Sequence, residues 1–305
     1  GNLWAWGDND WGQLGDGTTT GQVSPLLVSG LTTWSSVSAG EAHSAATRAN
    51  GTMWAWGQNA YGQLGDGTTD SRTSPVQVGS ATTWSSVSAG DRHTVATRTD
   101  GTLWAWGGNA SGQVGDGTTV DRTSPVQVGS ATTWKTVDAG GYHTLATRTD
   151  GTAWAWGLNS LNQVGDGTTT NRTSPVQVGS ATTWRTIGAG RLHTFGLRTD
   201  GTAWGWGYNA SGQLGDGTTT TRAVPTQVGP VHDWKLVSIG FRHTLGIRVD
   251  GTLWAWGDNA RGELGDGTTF PRTVPVQIGS GATWTAVTAG LDASFALRSD
   301  GTLWA

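Results

Sequence analysis

Apolar and small polar side chains alternate along short stretches of this chain, and the alternation restarts on a fixed schedule. Residues 84–89 (Trp-Ser-Ser-Val-Ser-Ala) and 93–99 (His-Thr-Val-Ala-Thr-Arg-Thr) show the period of two expected of half-buried strands. Asp100-Gly101 then precedes Thr-Leu-Trp-Ala-Trp-Gly at 102–107, and an Asp-Gly pair between alternating runs signals a tight hairpin. After a loop rich in Gly, Asn and Asp, Pro125-Val-Gln-Val predicts a fourth, short strand. Its leading proline, which has no N–H to donate, suits an outer edge. No stretch carries a 3.6-residue apolar period, and glycines recur too closely for helix, so an all-β fold is expected with no helix beyond a turn or two.

The schedule is a repeat of 50 residues without insertion or deletion. Trp-Ala-Trp-Gly starts at Trp4, Trp54, Trp104, Trp154 and Trp254, with Trp-Gly-Trp-Gly at Trp204, and the chain ends at Trp304-Ala305 as a seventh copy begins. Leu/Val-Gly-Asp-Gly-Thr-Thr recurs around Asp16, Asp66, Asp116, Asp166, Asp216 and Asp266, followed by Pro25 through Pro275 and a lone Trp at Trp34 through Trp284. Repeats 1–50, 51–100, 101–150, 151–200, 201–250 and 251–300 plus the partial 301–305 account for the whole chain as one domain. Four antiparallel strands per copy, repeated about an axis, describe a β-propeller.

Composition narrows the function classes. Fifty residues are Gly and twenty Trp, only 13% are charged, and the net charge is −4. That balance excludes the clustered basic charge a nucleic acid or anionic membrane surface needs. There is no cysteine, hence no disulfide, thiolate nucleophile or Cys-based metal site. The apolar runs are far shorter than the roughly 20 residues of a bilayer-spanning helix, so no membrane insertion is expected. The chain starts at Gly1 with no Met or signal-like segment, as a processed or trimmed chain would. Low Lys, abundant Thr, Ser and Gly and no Cys favour a secreted or cell-surface bacterial protein.

Gly-x-Asn-x-x-Gly-Gln-Leu-Gly-Asp-Gly-Thr-Thr, followed by Ala-Gly-x-x-His-Thr-x-Ala-x-Arg-x-Asp-Gly-Thr-Leu-Trp-Ala-Trp-Gly, resembles the regulator of chromosome condensation repeat, and the resemblance covers the whole chain. It implies four-stranded blades straddling the sequence repeat, at about 34–80, 84–130, 134–180, 184–230 and 234–280. A sixth blade would be closed by N- and C-terminal strands from 284–305 and 1–30, removing a free sheet edge. Six repeats make a six-bladed propeller where the family habit is seven, so part of a seven-bladed ring is the alternative. Gly301-Thr-Leu-Trp-Ala305 duplicates Gly1-Asn-Leu-Trp-Ala5, and both cannot fill one strand position. Either the chain is cut from a longer array or one terminus is left free. The family includes a chromatin-bound exchange factor for a small GTPase and a plant ultraviolet-B photoreceptor. An exchange factor would need an inserted wedge, and no copy here has an insertion. The photoreceptor's sensing Trp precedes Arg-His-Thr, and the matching slots here are Glu41, Asp91, Gly141, Arg191 and Phe241.

The recurring polar residues read as structural. Both Trp of a Trp-x-Trp strand face one side and fill the wedge between blades. His43, His93, His143, His193 and His243 recur at a strand start without a neighbouring carboxylate at ligand spacing, and Ala293 breaks the series. Each Asp-Gly-Thr-Thr loop has one carboxylate, too few for calcium, and such an Asp commonly bonds its own backbone two residues on. No metal or other cofactor is expected. The Arg48 and Arg72 series offer partners for the loop Asp. Nothing resembles a nucleophile with its base, so no catalytic residues are assigned and an enzyme is the least favoured class.

Copies this similar are informative where they differ, and they differ in two loops. From these the candidate partner-binding residues are Trp11, Tyr61, Arg92, Tyr142, Leu192, Tyr208, Phe241, Arg242 and Arg261. Aromatic and charged side chains on the loops of a rigid scaffold suit a protein or glycan partner. The leading expectation is a non-enzymatic interaction scaffold, with a structural subunit of an oligomer or filament, self-associating through terminal strands, as the alternative.

Overall fold

A computed structural model describes residues 1–28, 30 and 32–305. The fold is an all-β six-bladed propeller, and no helix occurs among the described residues. Five four-stranded blades run at 34–77, 84–127, 134–177, 184–227 and 234–278, each with strand order following the chain. In the second, Trp84–Ala89, His93–Arg98, Leu103–Gly107 and Arg122–Gln127 pair in succession, all antiparallel. The outer ladder loses register between Arg122 and Val126, where Pro125 brings no N–H.

The sixth set of strands departs from the expected closure. Leu303–Trp304 forms the third strand beside Ser294–Arg298, with Ala296 opposite Trp304, while Trp4–Gly7 pairs only with Gln22–Leu27 in a two-stranded sheet of its own. The two segments carry the same pattern, but Leu303 follows its partner strand across the short Asp300-Gly301 turn. The shorter loop costs less entropy to close.

The chain divides into two compact units. The first holds 1–149, 156–158 and 171–175; the second holds 150–155, 159–170 and 176–305. Each is built from adjacent blades with apolar layers between them. In the first, Met53, Ala55, Leu64, Val78, Trp84, Ala96 and Trp106 form one such layer. In the second, Phe195, Leu197, Leu214, Val228, Trp234 and Trp256 form another.

The two Trp of each Trp-x-Trp strand do different jobs. Trp106 is fully buried, and its indole Nε1 donates to the Gln63 carbonyl of the preceding blade at 2.9 Å. Trp56, Trp156 and Trp206 repeat this toward Gln13, Gln113 and Gln163. The first Trp of the pair is only half-buried: Trp104 lies under the Arg98 guanidinium, 3.8 Å from the ring centroid, with Trp84 edge-on. The first Trp thus joins the same layer from its half-exposed margin, as Trp104 and Trp254 pack against the buried clusters, while the second lies wholly inside it. Trp4 and Trp6 are both exposed.

The Asp-Gly hairpins require glycine. Gly101 has φ +77°, and a Cβ there would lie 2.1 Å from the Thr132 carbonyl oxygen. Gly101→Ala is therefore expected to destabilise by about 3 kcal/mol, from left-handed strain plus a backbone clash. Urea unfolding of the variant checks this. At 162 the fourth copy carries Asn162 where the others have Gly, at φ 63°, which Asn tolerates best among residues with a side chain.

Candidate functional site

Three polar systems hold the loops that carry the candidate residues. The first centres on the asparagine of the Gly-x-Asn-x-x-Gly motif, whose role the sequence pattern does not reveal. Asn109 is fully buried; its amide nitrogen donates to Asp116 Oδ1, the Thr118 carbonyl and hydroxyl, and the Val120 carbonyl, and its Oδ1 accepts the Val114 N–H at 2.9 Å. Asn59, Asn209 and Asn259 do the same in their loops. Asn109→Ala would orphan the buried Val114 N–H and remove the bonds that tie the Thr118 and Val120 carbonyls, a loss of about 3 kcal/mol. A thermal midpoint unchanged from the parent would contradict that role.

The second is the loop Asp. Asp66 accepts hydrogen bonds from the Thr68 N–H and hydroxyl and pairs with Arg72 at 2.8 Å. Burial opposes its charge, but the bonds from Thr68 and Arg72 outweigh it and hold the carboxyl below its usual value. In the last full copy the same balance brings Asp266 down to about 2. The Arg that precedes the Pro strand is thus the partner of the loop Asp, while Arg98, Arg198, Arg248 and Arg298 stack on Trp instead.

The third is the histidine series. His43 Nε2 bonds Thr94 Oγ1 of the next blade and His93 Nε2 bonds Thr144 Oγ1, both at 2.9 Å; His243 Nε2 reaches Ser294 Oγ at 3.0 Å. Thr94 and Thr144 donate in turn to the carbonyls of Gln63 and Gln113, so the histidine is the donor and carries its proton on Nε2. Desolvation pushes His43 down to about 4 and His93 and His193 to about 3, with mutual repulsion among the rings adding to the last two. Among the described residues no group of three or more His, Asp or Glu could hold a metal ion.

Above these supports the two variable loops of a blade lie side by side, joined by backbone hydrogen bonds: Gly108 N to Arg92 O at 2.7 Å, Tyr208 N to Leu192 O at 3.0 Å and Asp258 N to Arg242 O at 2.9 Å. In the first unit the loops of three neighbouring blades bring together Tyr61, Arg92 and Tyr142. The Arg92 guanidinium lies 4.6 Å from one ring centroid and 5.6 Å from the other. Trp11, on the first loop of this unit, is exposed. In the second unit Phe241, Arg242 and Arg261 line an open cleft of about 470 Å³ together with Arg191, Asp258 and Asp292. Arg191 stacks on Phe241 at 4.6 Å, Arg242 faces Asp258 at 4.0 Å, and Arg261 pairs with Asp292. Arg191, Asp258 and Asp292 vary among the copies but are conspicuous only once the blades are side by side.

The model of the regulator of chromosome condensation (RCC1) repeat matches residues 1–47, 50–97, 100–147, 150–197, 200–247 and 250–297. The chain belongs to this family. A search of curated protein sequences finds no match. Among solved structures, human WBSCR16 superposes with a TM-score of 0.87 at 24% identity, over 96% of this chain and 80% of that one. Yeast RCC1 (Prp20), solved with Kap60, gives 0.86 at 20% identity over 99% of this chain and 77% of that one. Prp20p from Saccharomyces cerevisiae, described with its binding properties to Gsp1p and histones, gives 0.86 at 22% identity over 97% of this chain and 77% of that one. At such identities the likeness extends to the fold.

Proposed function

We propose that this chain is a non-enzymatic scaffold that binds a protein partner through the variable loops at one end of its blades. One observation carries the reading: side chains scattered through the sequence and differing between copies gather, in each unit, into a cluster of aromatic and arginine side chains. Tyr and Arg are enriched where binding energy concentrates, and planar rings lose little entropy when a partner orders them. A protein partner is preferred to a glycan because guanidinium groups line both clusters, and a protein surface offers carboxylates to meet them. Yeast Prp20, which shares the fold, is described with protein partners. An exchange role toward a small GTPase has less support, since all six copies keep the same length.

The test compares the immobilised chain with a variant carrying Tyr61→Ala, Tyr142→Ala and Phe241→Ala. A partner retained by the first and lost by the second, with unchanged thermal midpoints, is the expected result. Equal retention, or binding on a glycan array in place of protein capture, would overturn the reading.

A further inference from the structure

We infer that Arg92 is the point at which the partner delivers a carboxylate, an aspartate or glutamate side chain; this rests on the loop-end reading above and names the chemistry of one of its contacts. Arg92 and Arg242 occupy the same position of their blades, three copies apart, and each backbone carbonyl accepts the N–H of the residue after Trp-x-Trp-Gly in the adjacent loop: Gly108 for Arg92, Asp258 for Arg242. In the later copy that residue supplies a carboxylate, with Asp258 Oδ2 4.0 Å from Arg242 Nη1. In the earlier copy it is Gly108, which has none.

Arg92 is nevertheless held in place. Its guanidinium is bracketed by the Tyr61 and Tyr142 rings, and no oxygen of a described residue accepts from it. Gly108 is part of that arrangement, since a Cβ there would lie 3.2 Å from Arg92 Cβ and 3.5 Å from Tyr61 Cβ. The result is a half-buried cation immobilised between two aromatic faces, with its donors unspent and the built-in acceptor of the sister site deleted. A planar guanidinium fixed in this way has already lost rotamer freedom and can bond both oxygens of a carboxylate in parallel.

The probe is an acetylated hexaglutamate peptide at low salt, titrated into the chain labelled with nitrogen-15 and followed at the arginine Nε–Hε resonances. The Arg92 signal is expected to shift. Arg92→Ala and Arg92→Lys are expected to weaken binding about tenfold or more, the lysine because a point charge does not replace the fork. Gly108→Asp should do the same by supplying the internal carboxylate that Arg242 already has. Lys235→Ala, which removes equal charge elsewhere, should leave affinity as it was. Affinity in Gly108→Asp equal to the parent, or a loss in Lys235→Ala as large as in Arg92→Ala, overturns the inference. If Gly108→Asp unfolds, the two Arg92 variants decide alone. A peptide that fails to bind a chain whose partner capture still depends on the aromatic loops removes this inference and leaves the scaffold reading standing.

Discussion

Lowering the pH from about 7.5 to about 5 is expected to reduce the folding free energy by on the order of 5 kcal/mol, read as a steep fall in the urea midpoint. The source is His43, His93 and His193, buried and neutral in the fold at depressed values of about 4, 3 and 3. Their ordinary value is 6.5. The unfolded chain therefore binds more protons than the folded one below that value. Stability is complete above pH 6.5 and declines as the pH drops toward the folded values, by about 2 kcal/mol per histidine at pH 5. His243 is also lowered by burial, with Glu263 and Asp258 opposing the shift, so it adds in the same direction. The loop aspartates titrate below this window and do not contribute to it. His93→Gln should flatten the profile between pH 7 and 5, and a parent profile already flat there would refute the account.

Trp106→Ala is expected to cost about 4–5 kcal/mol, the upper range for removing a buried aromatic. The indole fills the layer against Trp84 with ring centroids 5.8 Å apart, rests on Gly65 where no Cβ would fit, and bonds the Gln63 carbonyl. Trp104→Ala should cost about half as much, because that ring is open on one side and its loss leaves Arg98 still stacked on Trp84. Tyr142→Ala and Phe241→Ala should cost less than about 1 kcal/mol, as loop changes do. Equal losses from Trp104 and Trp106, measured by urea unfolding, would contradict the division between rim and core.

Much of this architecture is legible in the sequence because period-two strands, Asp-Gly turns and an edge proline all point one way at each copy. Asp100-Gly101 predicts its hairpin without outside help, since only glycine fits there. The terminal strands are different: Gly1–Ala5 and Gly301–Ala305 differ only at Asn2 and Thr302, and the length of loop to the partner strand separates them. Arg72 and Arg98 are equally plausible partners for Asp66 on paper; the choice depends on which lies beside the Trp pair in three dimensions. Asn109 recurs in every copy, yet it passes for an ordinary turn residue because its five bonds to backbone and side chains of one loop show only in three dimensions. Among the candidate loop residues, Tyr61, Arg92 and Tyr142 each stand out as variable. Their stacking follows from blade adjacency, and the significance of Gly108 emerges only beside Asp258.

Within each unit the links between successive blades recur at fixed sequence distances: Trp Nε1 to Gln carbonyl across 43 residues, Thr hydroxyl to the same carbonyl across 31, His to Thr or Ser across 51. The middle copies thus present their neighbours with closely similar linking residues. Excising residues 101–150 as a block would bring Trp156 to Gln63 and Thr144's counterpart Thr194 to His93, renewing each link with an equivalent one. Recombination between the near-identical coding segments for 74–84, 124–134 and 174–184 can therefore change copy number in whole steps without leaving a mismatched junction, and each step would exchange one set of variable loops for another. Diversity can accumulate by shuffling intact blades, with the variable loops re-assorted while the framework beneath them stays constant.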